Sequence, residues 1–275
     1  MQIKDLAIGD GYVYLMEGSS KVKFYALAHN YESGLNGKGR TMFCRESPAT
    51  RGIRRKDDGN YSLGWGALND YGTMRYNKIY VYLISTYPSN FTSAVKKWIA
   101  TTRYKAYKNE YYYDNPSAFK LQTFNDAFFT ISEAEAVTRP THSDGSLLSK
   151  EARTRLEKIF TAYGSGIWTR THSDSYSYSY EDDDGDTRYY YANGLYLSGV
   201  NRYEPGVFST ESACKDPYGY LPCFTLPETL YIDKDGFPTV NQPPEVTSDA
   251  GESGVALGEK NEPFTLSYTV TDGDG

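Results

Sequence analysis

Paired cysteines, clustered histidines, a basic excess and long apolar runs are all missing from this 275-residue chain, and each gap removes a class of function. Cys44, Cys214 and Cys223 have no metal-ligand spacing, so a structural zinc site is not indicated. So sparse and odd a set fits reduced thiols, and only Cys214 and Cys223 are close enough in sequence to suggest a bridge. His29, His142 and His172 are scattered, outside any zinc-ligand or nucleophile-activating pattern. A formal net charge of −6 argues against a general nucleic-acid binder, which would carry a basic face. No apolar run approaches the about 20 residues of a membrane-spanning helix. Met1-Gln2-Ile3-Lys4-Asp5 has neither the basic start nor the apolar stretch of a signal peptide, so synthesis in the cytoplasm without one is expected.

Tyrosine dominates what is there: 28 residues, against 12 Phe and 3 Trp. A core built for burial alone would favour Leu, Ile, Val and Phe, because each buried tyrosine hydroxyl needs a partner. Two explanations stand side by side. The tyrosines line interfaces or binding faces, or they occupy the solvated sides of many strands. The 39% hydrophobic content is enough for a packed core.

The opening reads as β. Tyr12-Val13-Tyr14-Leu15 and Val22 to Leu27 flank the turn residues Glu17-Gly18-Ser19-Ser20, which predicts a hairpin. Thr41 to Cys44 is a third short strand, and residues 46 to 77 read as a long decorated loop. Tyr80, Leu83, Ile84 and Tyr87 fit helical spacing, although Ile79 to Ile84 also suits a strand. The spacing predicts a helix over 91–101 capped by Ser89 or Asn90, and a second over 150–163 closed by Gly164. Between them lie a strand candidate at Ala127 to Ile131 and a Ser132/Glu135 capping box. Further strands are expected at 167–170, with Trp168 as a core anchor, and at 195–200, 220–226 and 230–232, the last followed by the Asp235-Gly236 turn. Strands at both ends with helices between predict an α+β domain over residues 1–238. A proline-containing linker follows over 239–245, where adjacent prolines block helix and sheet pairing. Residues 246–275 hold two strand candidates, too few to close a β-sandwich, and read as the start of a truncated Ig-like module.

Several segments, in order, resemble a domain family of prophage structural regions and of surface proteins in Gram-positive bacteria, a family of unknown function. Ile3-Lys4-Asp5-Leu6-Ala7-Ile8-Gly9-Asp10 resembles its opening turn, and Phe24 to His29 with Thr41 to Glu46 its paired strands. Ala127 to Glu135 is similar to its strand-to-helix step, and Asp144-Gly145-Ser146-Leu147-Leu148 to the turn after it. Gly166-Ile167-Trp168-Thr169-Arg170-Thr171 resembles its "tryptophan-tryptophan-leucine-arginine-serine" strand, departing at Ile167, Thr169 and Thr171. Tyr218 to Pro227 resembles its closing strand, with Leu221 where the family has arginine, which puts any shared polar network in doubt. The resemblance implies a C-type-lectin-like fold, a shape also used by phage receptor-binding proteins and sulfatase-modifying enzymes. It also implies an Ig-like or fibronectin-like module after the linker.

Two stretches are candidates for binding. The run Ser175 to Tyr180 and the triplet Tyr189-Tyr190-Tyr191 have recognition-loop composition, which singles out Tyr176, Tyr178, Tyr180, Tyr189, Tyr190 and Tyr191 as ligand contacts or as packing against neighbouring subunits. The acidic run Glu181 to Asp186 offers Asp182, Asp184 and Asp186 as Ca²⁺ ligands, although its order does not fit an EF-hand and a solvated loop tip is the default reading. No cofactor is otherwise expected. The sequence thus leads to a non-enzymatic, structural or adhesion component of a phage or phage-tail-like particle, placed on a tail, baseplate, fibre or as capsid decoration. Its expected partners are other subunits of the particle and a host cell-surface glycan or protein, with no nucleic acid and no membrane. It would be an oligomer or assembly-bound, exposed on the virion after release of particles by lysis. The alternatives are a carbohydrate- or protein-binding module of a bacterial surface protein and, through Cys214 and Cys223, an enzyme of the sulfatase-modifying type.

Overall fold

The computed structural model describes residues 1–49, 80, 82–109, 119–138, 143–163, 167–171, 178–181, 185, 187–190, 194–197, 208–211, 219–240, 245–248 and 268–271. The predicted hairpin forms: β1 (Tyr12–Glu17) pairs antiparallel with β2 (Ser20–Ala28), from Tyr12 opposite Tyr25 to Glu17 opposite Ser20. Alternation then sorts the side chains. Val13, Leu15, Val22, Phe24 and Ala26 point inward and are buried, while Tyr12, Tyr14, Lys23 and Tyr25 point outward. After the short helix α1 (Ser33–Asn36), β3 (Arg40–Arg45) adds to β2.

Chain-distant residues complete this sheet. The next elements are a π-helical turn at Tyr82–Thr86, a 3-10 turn at Tyr87–Asn90, helix α2 (Ser93–Trp98), and the strands β4 (Thr102–Asn109) and β5 (Phe119–Asp126). Helices α3 (Glu133–Ala136) and α4 (Lys150–Tyr163) lead into β6 (Ile167–Trp168). There follow β7 (Tyr178–Glu181), β8 (Thr187–Tyr190), β9 (Gly194–Leu197), β10 (Phe208–Glu211), β11 (Gly219–Tyr220) and β12 (Cys223–Pro227). β13 (Tyr231–Ile232) and β14 (Pro238–Thr239) close a small hairpin around the Asp235-Gly236 turn, and β15 (Glu245–Ser248) pairs with β16 (Tyr268–Thr271).

The architecture is therefore mixed α and β, organised on a curled antiparallel sheet of order β1-β2-β3-β12. Single bridges from Phe129 to Cys223 and from Ala100 to Thr225 prolong it beyond β12. One side of the sheet is an aromatic core. Phe43 stacks on Phe224 with centroids 5.9 Å apart, and Phe24 and Phe128 meet it edge-on at 5.0 and 5.8 Å. Tyr87 and Phe91 pack on Phe128 at 5.0 and 5.2 Å. α4 covers part of the other side: its Ala152, Leu156, Ile159 and Phe160 are buried, and Arg155 lies over the Tyr25 ring at 4.0 Å. The N-terminus is stitched to the far end of the domain, with Ile3 N donating to Leu230 O and Ile232 N to Met1 O.

Several expectations need correction. The first predicted helix is only Ser93–Trp98 and is capped by Thr92, whose Oγ1 accepts from Val95 N; Phe91 and Ile99 are buried outside it. The segment 80–87 is helical in its described part, not a strand. Ala127 to Ile131 contributes one bridge, Phe129 to Cys223, and no strand. The 220–226 strand breaks into β11 and β12 at Leu221-Pro222, since proline cannot donate to the ladder. The polar stretch after His172 contains the β7–β8 hairpin. The side chain of Trp168, and Gly164, lie outside the described residues, as does most of the 46–77 loop. No helix among the described residues is long and apolar enough to cross a membrane.

Candidate ligand-binding cleft

A buried polar centre lies beside the sheet. Arg170 follows β6 directly and is fully buried, a position an arginine tolerates only when every donor is met. Its Nη1 and Nη2 form a two-pronged pair with Glu135 Oε2 and Oε1 at 2.9 and 2.7 Å. Nε donates to Lys105 O at 2.9 Å, Nη1 also to Thr130 O, and Nη2 also to Asp144 O at 3.0 Å. Tyr31 Oη donates to Glu135 Oε1 at 2.5 Å, and Thr171 Oγ1 to Asp144 Oδ2 at 2.8 Å. The expected capping box forms here, Ser132 N to Glu135 Oε2 at 2.8 Å and Glu135 N to Ser132 Oγ at 3.3 Å, so one carboxylate caps α3 and pairs with Arg170. Burial opposes the guanidinium charge, but the Glu135 carboxylate and Tyr31 outweigh it and hold Arg170 firmly protonated. Burial pushes the Tyr31 hydroxyl well up, with Arg170 opposing and Glu135 adding to the effect. The rings of Phe129 and Tyr104 stack at 5.0 Å and flank the guanidinium. Leu221 is part of the apolar core.

On the aromatic side of the sheet a cleft of about 380 Å³ opens between three segments, within the range of small-molecule sites. The β1–β2 turn forms one wall (Glu17 to Ser20), held to the opposite wall by Gly18 N donating to Asn90 O at 2.6 Å. The half-buried Tyr82 supplies the aromatic surface, backed by the buried Tyr87 and Tyr220, with Tyr82 meeting Tyr220 edge-on at 6.2 Å. Arg45, at the end of β3, donates through Nε to Glu17 Oε2 at 2.8 Å and through Nη1 to Ser47. Arg45 Nη2 and Glu17 Oε1 have no partner among the described residues. Nor has the Tyr87 hydroxyl, although it is buried. Burial pushes that hydroxyl well up, Glu17 adding to the effect and Arg45 opposing it.

Tyr178, Tyr180, Tyr189 and Tyr190 fall in the β7–β8 hairpin, which pairs Tyr178 with Tyr190 and Ser179 with Tyr189. Tyr176, Tyr191, Asp182, Asp184 and Asp186 lie outside the described residues. Among the described residues no group of His, Cys, Asp and Glu has the placement to hold a metal ion. Cys214 also lies outside them, while Cys223 is a free, fully buried thiol directly opposite Cys44 across β12 and β3, so the bridge considered from sequence is not made at Cys223. Burial drives both thiols well above their ordinary range, which keeps them protonated and inert.

The tyrosine excess divides by location. Tyr31, Tyr80, Tyr87, Tyr104 and Tyr220 are buried. Tyr12, Tyr14 and Tyr25 stand on the outer side of the hairpin beneath cations, Lys23 at 4.5 Å over Tyr12 and Lys21 at 4.0 Å over Tyr14. The cleft was not legible from sequence, because its walls come from segments far apart in the chain and no single one carries a motif. Comparison with protein-family models, with curated proteins and with solved structures finds no match.

Proposed function

We propose that this chain is a structural and adhesion component of a phage-type particle. Its α+β domain, of C-type-lectin-like organisation, docks on other subunits and acts by recognition, while the segment after the linker begins an Ig-like module. The cleft carries this reading. A tyrosine-walled, charge-balanced recess, built on a sheet whose neighbouring polar centre is locked by the Arg170–Glu135 pair, presents donors and acceptors in one fixed arrangement. Such preorganisation suits binding. The buried Cys223 weighs against the sulfatase-modifying alternative, which needs an accessible thiol. The motif resemblance to prophage structural regions supports placement on a tail, baseplate, fibre or capsid surface.

Fractionation of a lysate from cells producing both particle and chain tests the proposal. The chain should co-band with particles in a density gradient at a fixed ratio; recovery only in the soluble fraction sinks it. The same cleft favours a second reading, a binding module of a bacterial surface protein, and recovery with cell envelopes in place of particles selects that one.

A further inference from the structure

We infer that the cleft between the β1–β2 turn and the Tyr82–Asn90 segment is a binding site for a neutral pyranose sugar, an assignment that rests on the adhesion reading and names its ligand class. Three observations converge on this chemistry. The first is the state of the ion pair. Arg45 and Glu17 meet through one nitrogen and one oxygen, leaving Arg45 Nη2 as a donor and Glu17 Oε1 as an acceptor with no partner among the described residues. A hydroxyl both donates and accepts, so two neighbouring sugar hydroxyls can engage both atoms at once. An anionic ligand would meet the Glu17 carboxylate, and a cationic one the Arg45 guanidinium, whereas a neutral polyol meets neither penalty.

The second observation is aromatic. Tyr82, half-buried in the wall and held edge-on against the buried Tyr220 at 6.2 Å, offers ring surface to the C–H face of a pyranose. The third is the Tyr87 hydroxyl, 1% exposed, lining the cleft and unpartnered among the described residues. That hydroxyl is shielded from solvent, so it lends polarity to the wall and not a direct contact to a ligand. Ser19, Ser20 and Asn90 add further polar groups on the rim. A purely apolar ligand would strand all of these.

Saturation-transfer NMR and titration calorimetry on the full chain test the inference, using the methyl glycosides of glucose, galactose, N-acetylglucosamine and rhamnose, with glucuronic acid and glucosamine as charged comparators. At least one neutral glycoside should bind saturably, and better than either charged sugar. Tyr82→Ala should weaken it about tenfold or more, as expected for loss of a stacking contact, while Tyr82→Phe keeps the ring and the binding and controls for folding. Glu17→Gln removes one charge and leaves Arg45 unopposed, so glucuronic acid should now bind. The inference is overturned if no neutral glycoside binds, if wild type prefers glucuronic acid, or if neither Tyr82→Ala nor Glu17→Gln changes the profile. A chain that co-bands with particles yet ignores all four glycosides loses the cleft assignment alone, whereas sugar binding by a chain absent from particles overturns the particle reading alone.

Discussion

Arg170 and Glu135 are each tolerable inside the protein only because of the other. Removing one leaves a buried charge facing donors or acceptors arranged for its partner, a loss of about 3–5 kcal/mol. Glu135→Ala should lower the urea-unfolding free energy by about that amount, and Arg170→Lys should also be costly because an ammonium cannot form the two-pronged pair or reach Lys105 O and Asp144 O together. The double variant Arg170→Met/Glu135→Leu should recover much of the loss. A cost below about 1 kcal/mol for Glu135→Ala, the size of an exposed pair, contradicts the burial of this centre. Asp126 gives a prediction of the opposite kind. Burial raises its carboxyl above the usual range, with the hydrogen bonds from Tyr104 and Tyr80 opposing. The folded state therefore holds this proton more tightly than the unfolded chain. Its contribution is present below the unfolded value, about 3.9, and is lost as pH rises through the folded one. Asp126→Asn keeps an acceptor for both tyrosines without the charge, so its stability relative to wild type should rise from pH 3 to pH 7 in paired denaturant titrations. A difference that is flat with pH removes the asserted shift.

Among the elements, the contact of Gly9 with α4 is the tightest. Gly9 has φ +85, and a Cβ there would lie 2.5 Å from the Glu151 carbonyl oxygen, a backbone atom that cannot rotate away. Gly18 in the β1–β2 turn also has positive φ, +63, but a Cβ would meet nothing within 4 Å. Gly18→Ala should thus cost only the left-handed strain of about 1–2 kcal/mol, and Gly9→Ala clearly more, because α4 must shift off the sheet. Thermal melts of the two variants measure the difference; equal losses mean that α4 does not seat on Gly9. The elements legible in the sequence are those with an unbroken period: the β1–β2 alternation, the apolar stripe Ala152-Leu156-Ile159-Phe160 of α4, and the Ser132/Glu135 cap. The β4–β5 hairpin escaped notice although Thr102, Tyr104 and Ala106 alternate inward with Arg103 and Lys105 between them, because threonine, tyrosine and alanine make only a weakly apolar inward set. The polar centre was legible only as a cap. Its partners stand 35 residues apart for Arg170 and Glu135 and 104 for Tyr31 and Glu135, distances at which only the fold brings them together.

For the molecule as a whole, residues 1–4 close onto residues 228–232 through backbone hydrogen bonds and the Gln2–Tyr231 bridge. A chain ending at Val240 keeps β12, the Ile3–Leu230 and Met1–Ile232 hydrogen bonds and the β13–β14 hairpin, and should melt at the same temperature as the full chain. A chain ending at Tyr218 loses the strand that carries Phe224 at the centre of the aromatic core and should not fold cooperatively. Circular dichroism distinguishes these outcomes, and a clear loss of stability at the Val240 boundary places structural support in the segment beyond it. The central claim, recognition from the surface of a particle, is met most directly by electron microscopy of gradient-purified particles labelled with a gold-conjugated antibody against residues 172–191. The account predicts gold at a fixed, repeating position on the particles; unlabelled particles, with the antigen confined to the soluble lysate or the cell envelope, contradict it.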